Sequence, residues 1–264
     1  MGKALRQVPA EKGTPADYGL VSVIMPSYRS ERFIRSAIDS VMAQTYQNWE
    51  LIIVDDCSPD GSVEIISKYG DPRIHLIRNQ HNCGAAVSRN NAIENARGRW
   101  IAFLDSDDLW DPNKLLHHLG YMVQTGSAFS FTHYAMRNAQ DGSVTVFSPG
   151  DRVYDYHTIL KHCYVGCSTV IYDSLKLGKF YMPVEAAKRE DFACWLQILK
   201  TGINATCLQE CLTTYTVHEN SVSSNKLKIV PYQWNVYRRI EGLSVLRSLY
   251  YMAWWTVLGL RKYR

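Results

Sequence analysis

The stretch Phe103-Leu104-Asp105-Ser106-Asp107-Asp108 places three carboxylates within four residues, directly after the apolar run Trp100 to Leu104. A short run that is apolar throughout predicts a buried strand, so these carboxylates lie at its carboxyl end. Carboxylates this close repel one another unless a cation lies between them. Mg²⁺ or Mn²⁺ would meet that need, because both bind carboxylate oxygens and keep substrate phosphates as further ligands. The alternative is a solvated acidic turn that caps the helix expected after Asp111-Pro112.

Two earlier strands are predicted, and polar residues follow each of them. Val21 to Met25 is stopped by Pro26, and Leu51 to Val54 runs into Asp55-Asp56. Between them, the spacing of apolar residues from Phe33 to Met42 indicates one face of a helix. Strands that are apolar throughout and alternate with helices are typical of a parallel sheet covered on both faces. We therefore expect an α/β fold with a Rossmann-like, mostly parallel central sheet and helices on both faces.

Three loops would meet beyond the carboxyl ends of such strands, where ligands bind in open α/β sheets. They are Pro26-Ser27-Tyr28, Asp55-Asp56 and Asp105-Ser106-Asp107. The absence of G-x-G-x-x-G and of a P-loop lysine after the first strand disfavours a dinucleotide-binding fold and an NTPase. A nucleotide could still be held by the Tyr28 ring, by Asp56 and by a metal on its diphosphate. The ordinary alternatives are a surface aromatic at Tyr28 and a helix cap at Asp55-Asp56.

Composition limits the classes of partner. The chain has 264 residues, enough for one large domain or two small ones, and a net charge of +4. That charge suits phosphorylated ligands or an anionic membrane surface but is too small to favour nucleic acid. Seven cysteines, an odd number without a secretory signal, indicate reduced thiols and a cytoplasmic location. Residues 1–19 are polar and contain prolines, which predicts a flexible N-terminal arm.

The second half of the chain carries a second acidic position. Helices and strands continue past Pro112, and Asp141-Gly142 signals a hairpin. Gly166 to Tyr172 is predicted to be a strand. Further on, Glu190-Asp191 opens a helix whose apolar face includes Trp195. An acidic residue at a helix start often only complements the helix dipole. A carboxylate here could equally serve as a general base.

The C-terminal segment, residues 226–264, interleaves Lys and Arg with Trp and Tyr. This composition predicts an amphipathic helical tail of the kind that lies in a membrane interface. Its apolar run, Leu249 to Leu260, is too short to span a bilayer. Such a helix could instead pack against its own domain or against a partner subunit.

Several motifs together resemble those of the family 2 glycosyltransferases, which are inverting enzymes of the GT-A fold. They occur in the family's order and cover roughly residues 20 to 220, and FLDSDDLW is the most specific of them. The subgroup that builds bacterial cell-surface polysaccharides is the most similar. The matching segments are Val21 to Tyr28 (VSVIMPSY), Glu50 to Asp56 (ELIIVDD), Asn82 to Asn90 (NCGAAVSRN), Phe103 to Trp110 (FLDSDDLW) and Glu190 to Trp195 (EDFACW).

The resemblance implies a role for particular residues. It places the donor, a nucleotide-sugar of the UDP type, on Pro26, Ser27, Tyr28, Asp55, Asp56, Arg89, Asp105 and Ser106. It places Mn²⁺ or Mg²⁺ on Asp107, with Asp105 and His218 as further ligands, and makes Asp191 the catalytic base. Residues 20–111 would then be the nucleotide-sugar-binding half of one GT-A domain, and residues 112–225 its acceptor-binding half.

The implied reaction moves a sugar from the donor to a hydroxyl of a glycan or lipid-linked glycan in cell-surface polysaccharide synthesis. The enzyme would be cytoplasmic, with a peripheral position at the inner face of the membrane if the tail binds lipid. Two rival interpretations stay open at this point. One is a metal-dependent nucleotidyltransferase, and the other is a non-catalytic nucleotide-sugar-binding subunit that anchors a partner at the membrane.

Overall fold

The computed structural model describes residues 17–150, 152–217 and 229–261, without the side chains of residues 260 and 261. The predicted N-terminal arm therefore lies outside the described residues, apart from its last three. Within those three, Tyr18 is tied to the domain at both backbone groups. Its carbonyl accepts a hydrogen bond from Trp100 Nε1 at 2.7 Å, and its N–H donates to the Tyr46 hydroxyl at 3.0 Å.

The described strands form one mixed sheet in the spatial order β3-β2-β1-β4-β8-β6-β9-β5, with β7 paired to β6. Neighbours among β1 to β4 run parallel, β8 runs antiparallel to both β4 and β6, and β9 runs parallel to β6. The predicted parallel arrangement thus describes the first half, and the second half mixes directions. The strands are β1 Val21–Ser27, β2 Trp49–Asp55, β3 Ile74–Arg78, β4 Trp100–Phe103, β5 Leu109–Trp110, β6 Phe129–Asn138, β7 Val144–Phe147, β8 Ile171–Asp173 and β9 Thr206–Val217.

Helices cover both faces of this sheet, as the apolar strands predict. Val23 and Met25 of β1 belong to the layer under α1 and α4, whereas Ile24 belongs to the layer under α3 and α7. In that second layer, Trp195 of α7 packs its ring 5.4 Å from Phe103. The helices are α1 Ile34–Met42, α2 Ser62–Ile66, α3 Ala85–Asn95, α4 Lys114–Thr125, α5 Tyr156–Lys161, α6 Ser174–Leu177, α7 Glu190–Leu199, α8 Val230–Asn235 and α9 Val245–Arg261.

Two predicted elements differ from the structure. Strand β1 does not stop before Pro26 but runs on to Ser27, because the fixed φ of proline is compatible with extended backbone near a strand end. The strand predicted from Gly166 is wrong in its first part: Cys167–Thr169 form a 3₁₀ turn, and β8 begins only at Ile171. The hairpin predicted at Asp141-Gly142 is confirmed by the antiparallel pairing of β6 with β7.

The described part of the predicted tail is largely helical. Between α8 and α9 the chain makes a π-helical turn at Val236–Ile240. Val236 and Tyr237 of this turn are fully buried, and the Tyr237 hydroxyl donates to the Leu160 carbonyl at 2.5 Å. The tail is therefore part of the domain's packing. Within the described residues, the helices are all too short or too polar to cross a bilayer.

Candidate active site

The three predicted loops meet at one edge of the sheet. Ser27 lies opposite Asp55 in the β1–β2 register, and the Asp56 N–H donates to the Ser27 carbonyl at 2.8 Å. On the other side of β1, the Leu104 N–H donates to the Ile24 carbonyl at 3.0 Å. Since β1 lies between β2 and β4, the acidic residues after β2 and β4 emerge on the two flanks of the loop after β1. The predicted convergence is confirmed.

The loop after β1 presents one aromatic ring at the surface. Tyr28 is 42% exposed, and the Arg29 guanidinium lies 5.3 Å from its ring centroid. Ser27, in contrast, is buried and shares a 2.7 Å hydrogen bond between its Oγ and Ser30 Oγ. Of these residues, the Tyr28 ring is therefore available to stack on a planar ligand, whereas the Ser27 side chain holds the loop.

Asp55 and Asp56 are both buried, and both carboxylates accept hydrogen bonds from backbone N–H groups of the protein. Asp55 Oδ2 accepts a hydrogen bond from the Ser58 N–H at 3.0 Å. Asp56 Oδ1 accepts from Cys83 N–H at 2.9 Å and Oδ2 from Gly84 N–H at 2.7 Å, which fixes the chain that enters α3. Burial alone would raise the pKa of Asp56, but these bonds and one from the Asn79 side chain lower it below its usual value. Nucleotide contacts by Asp55 and Asp56 stay predictions.

The acidic loop, Asp105–Asp108, contains one buried carboxylate and two partly exposed ones. Asp108 is 2% exposed; its carboxylate accepts from Ser168 Oγ at 2.5 Å and from the Thr216 N–H at 3.2 Å. Burial raises the pKa of Asp108 well above its usual value, and the charges of Asp105 and Asp107 raise it further. The carboxyl groups of this loop therefore oppose one another's ionisation, and a cation placed among them would be stabilised.

The described residues contain no cluster of three or more histidine, cysteine or carboxylate ligands around one point. His218, a predicted ligand, lies outside the described residues. Asp105 and Asp107 provide hard oxygen donors at the loop surface, and Mg²⁺ and Mn²⁺ commonly combine one or two carboxylates with substrate phosphate oxygens. The residues present thus fit a cation that is held jointly with a nucleotide diphosphate.

Arg89 connects the acidic loop to the second acidic position. Its guanidinium is buried and donates to Asp105 Oδ1 at 2.6 Å through Nη2 and to Glu190 Oε1 at 3.1 Å through Nη1. Burial alone would lower the pKa of Arg89, but the charges of Asp105 and Glu190 raise it well above its usual value. Arg89 therefore stays charged and holds carboxylates from both halves of the domain in one ion-pair network.

Glu190 and Asp191, the acid pair, form the first turn of α7, where negative charge also complements the helix dipole. Asp191 is half-buried, and its Oδ1 accepts from the Phe192 N–H at 2.6 Å. Burial raises the pKa of the neighbouring Cys167 thiol well above its usual value. Arg89 opposes that shift, whereas Asp105, Asp191 and Glu190 add to it. The charges of the acidic loop and of the acid pair therefore both influence the Cys167 thiol.

Sequence reasoning missed the turn that supports the acidic loop. Ser168 Oγ accepts from the Asp105 N–H at 3.1 Å while donating to Asp108. The turn itself is held by the fully buried Lys114, whose Nζ donates to the Thr169 carbonyl at 2.9 Å, and by the Tyr215 hydroxyl, which accepts from the Ser168 N–H at 3.0 Å. Its one signal in the sequence is Gly166, where an added Cβ would lie 2.5 Å from the Tyr215 hydroxyl.

Comparison with known proteins agrees with this arrangement. The sequence model of glycosyl transferase family 2 matches residues 22–171, which include the acidic loop. The chain belongs to this family. It is 44% identical over 234 residues to the "Putative teichuronic acid biosynthesis glycosyltransferase TuaG" of Bacillus subtilis, covering 87% of this chain and 91% of that protein. The resemblance inferred from the sequence motifs is confirmed, and this family 2 member is a glycosyltransferase.

A second relative comes from Escherichia coli. It is the "UDP-Glc:alpha-D-GlcNAc-diphosphoundecaprenol beta-1,3-glucosyltransferase WfgD", 38% identical over 248 residues, or 94% of this chain and 96% of that protein. Among solved structures, S. aureus TarS in complex with UDP superimposes with a TM-score of 0.67 at 24% identity. That alignment covers 83% of this chain and 64% of the TarS structure. The predicted GT-A fold is confirmed.

Proposed function

We propose that this family 2 glycosyltransferase moves a sugar from a UDP-sugar to a hydroxyl of a lipid-linked glycan, with inversion at the anomeric carbon, in cell-surface polysaccharide synthesis. The observation that carries the proposal is the ion-pair network through Arg89, which joins Asp105 to Glu190 at 2.6 Å and 3.1 Å. It holds Asp105 of the acidic loop near the α7 turn that carries Asp191, so donor and acceptor can meet in one place. The UDP donor and the diphosphoundecaprenol acceptor in the printed name of the E. coli relative support the substrate classes.

On this proposal the loop after β1 binds the nucleotide. The Tyr28 ring, open at the surface, stacks on the base, with Pro26 and Asp56 beside it. Ser106 and Asp105 face the ribose and sugar, and Arg89 acts on the donor by orienting the Asp105 carboxylate. The donor is thereby held with its anomeric carbon toward the acid pair.

Asp191 supplies the chemistry on the acceptor side. An acceptor hydroxyl is a poor nucleophile at neutral pH, so the Asp191 carboxylate removes its proton as the oxygen attacks the anomeric carbon. One direct displacement inverts that carbon and releases the nucleoside diphosphate. A retaining double displacement would need a second catalytic carboxylate as nucleophile. The direct displacement assigns no such role to Glu190, whose Oε1 instead accepts from Arg89 in the ion-pair network.

Asp107 and Asp105 would hold Mn²⁺ or Mg²⁺ together with the diphosphate oxygens, with His218 as a further predicted ligand. When bound, the cation supplies Lewis-acid stabilisation of the negative charge that develops on the leaving diphosphate. The protein's own contribution is to hold the Asp105 carboxylate in place through Arg89 and through the bond from its N–H to Ser168.

The metal proposal predicts that UDP affinity depends on Mn²⁺ or Mg²⁺ and that Asp107→Ala removes this dependence. Without a cation, the acidic loop repels the diphosphate. Isothermal titration calorimetry measures the UDP affinity of wild type and of Asp107→Ala in the presence of Mn²⁺ and again after a chelator is added. Asp141→Ala, which removes an exposed carboxylate from the β6–β7 hairpin, is the control and should keep the full metal response. Wild-type binding unchanged by the chelator would contradict the proposal.

Transfer of radiolabelled sugar from a panel of UDP- and GDP-sugars to a GlcNAc-diphospholipid tests the reaction itself. We expect turnover with a UDP-sugar and a β-linked product from an α-linked donor, as inversion requires. Family membership already argues against the rival nucleotidyltransferase. Donor binding without turnover on any acceptor would favour the second rival, a non-catalytic nucleotide-sugar-binding subunit. We place the reaction at the cytoplasmic face of the membrane, where such an acceptor would be presented.

A further inference from the structure

Helix α9 packs on its own domain by one face only. Ser248 and Tyr251 are buried, and the Tyr251 hydroxyl shares a 3.0 Å hydrogen bond with His157 Nδ1 of α5. The Tyr251 ring also lies 6.0 Å from that of the fully buried Tyr237. These contacts fix the rotation of the helix about its axis, so its opposite face is held outward.

That outward face, which we call the apolar stripe, is exposed and hydrophobic. Its members recur at spacings of three and four residues, which places them along one side of a helix. Leu246 is 79% exposed and Leu249 is 52% exposed, the reverse of what a packed amphipathic helix shows. The apolar stripe consists of Leu246, Leu249, Tyr250, Ala253, Trp254 and Val257.

The charged residues of the α9 segment itself are all basic. From Gly242 to Arg264 the sequence contains no Asp or Glu. Arg247 borders the stripe and is exposed, as is Arg239 in the preceding turn, and Lys161 Nζ of α5 lies 5.5 Å from the Trp254 ring. Cations beside Trp and Tyr rings on an apolar helix face are the arrangement that binds anionic lipid headgroups and the acyl boundary below them.

The helix is coupled to the acceptor side of the active site. Tyr251 of α9 packs on Tyr237, and Tyr237 in turn lies 6.2 Å from the ring of Phe192 in the first turn of α7. Phe192 follows Asp191 directly. Two ring contacts therefore connect α9, through its packed face, to the helix turn that carries the acid pair.

We propose that the apolar stripe docks on an anionic phospholipid bilayer and holds the acid pair at a fixed position relative to the lipid surface. The inference rests on the proposed function in one respect, since a lipid-linked acceptor gives the docking its purpose. A second copy of the chain is a poorer occupant. Two apolar stripes face to face would bring arginines together with no acidic residue on either α9 to pair with them.

Sedimentation of the full chain with vesicles tests the docking. Wild-type protein should pellet with vesicles containing phosphatidylglycerol, less with pure phosphatidylcholine, and less again at high salt. Leu246→Glu and Leu249→Glu should each weaken binding to the anionic vesicles about tenfold or more, because each puts a charge where a leucine would enter the lipid. Leu175→Glu is the matched control: Leu175 is 77% exposed but lies on α6, and the variant should pellet like wild type.

Point substitutions are preferable to truncation, because removing the tail would also remove the buried Val236 and Tyr237 from the core. Thermal unfolding of each variant should stay close to that of wild type, since all three leucines are at least half exposed. Equal pelleting of Leu246→Glu, Leu175→Glu and wild type would overturn the proposal. So would a change from oligomer to monomer in Leu246→Glu by analytical ultracentrifugation, which would assign the stripe to a second copy.

The same variants separate this inference from the proposed function. Transfer to a short-chain, water-soluble acceptor should be unchanged in Leu246→Glu, while transfer to the long-chain acceptor in vesicles should fall with vesicle binding. Transfer that falls equally on both acceptors would contradict the docking role. Absence of transfer by wild type on either acceptor, with vesicle binding intact, would instead contradict the proposed reaction and leave the lipid surface standing.

Discussion

Asp191→Asn is expected to reduce the rate of sugar transfer by roughly 10²–10⁴ while UDP-sugar affinity changes by no more than a few-fold. Asparagine has nearly the same shape and can keep the bond that Asp191 Oδ1 accepts from the Phe192 N–H. What it lacks is the ability to take a proton from the acceptor hydroxyl. The loss should therefore appear in kcat, measured by steady-state transfer, and not in donor binding, measured by calorimetry.

Glu185→Gln provides the matched control for this experiment. Glu185 is an exposed carboxylate in the turn before α7, and its conversion to an amide changes the charge near the same helix without touching the acid pair. It should transfer sugar at the wild-type rate. Full activity in Asp191→Asn would contradict the role of general base. Asp191 would then be a first-turn residue that only complements the helix dipole.

Arg89→Gln should destabilise the fold and abolish most transfer. Removing one member of a buried ion-pair network leaves its partners uncompensated, at a cost of about 3–5 kcal/mol. For a domain of this size that corresponds to a decrease in melting temperature of roughly 6–20 °C. Asp105 and Glu190 are only 27% and 13% exposed at their side chains, so water offers them little compensation. The melting temperature and the transfer rate of Arg89→Lys should lie between those of Arg89→Gln and wild type, because an ammonium keeps the charge but not the planar, two-pronged geometry of a guanidinium.

Arg35→Gln is the control, since Arg35 is exposed on α1, and its melting temperature should stay close to that of wild type. Differential scanning calorimetry and calorimetric UDP binding together decide the role of Arg89. A variant with wild-type stability that loses UDP affinity would make Arg89 a direct nucleotide ligand, as the resemblance implies. A destabilised variant that still binds UDP would make it a positioning residue.

Local sequence patterns predicted the first half of the structure well. The central parts of strands β1, β2 and β4 are apolar throughout, so burial on both faces was expected: Val23 to Met25 in β1, Leu51 to Val54 in β2 and Trp100 to Phe103 in β4. The polar residues Tyr28, Asp56 and Asp105 then had to lie at the carboxyl ends. These conclusions needed only the alternation of strands with helices and the rule that ligands bind at the carboxyl ends of parallel strands. Both can be applied to short stretches of sequence.

The contacts that assemble the site were not predictable in the same way. Arg89 and Glu190 are separated by 101 positions in sequence, and nothing in the residues around either one indicates the other. The Ser168 turn was read as strand because its flanking residues are small and β-branched, whereas tertiary bonds from Lys114 and Tyr215 decide its shape. Metal binding and the role of Asp191 stay predictions for the experiments above.

Because β8 pairs with β4, cutting the chain between its first and second halves would break the central sheet. Strand β8 comes from the second half of the chain yet pairs antiparallel with β4 of the first half, Ala102 opposite Ile171. A fragment ending near Asp111 would therefore expose the free edge of β4, an apolar strand with open backbone donors and acceptors. Such an edge recruits strands from other molecules. Residues 20–111 and 112–225 are thus regions of a single folding unit, and we expect the first of them to aggregate when it is expressed by itself.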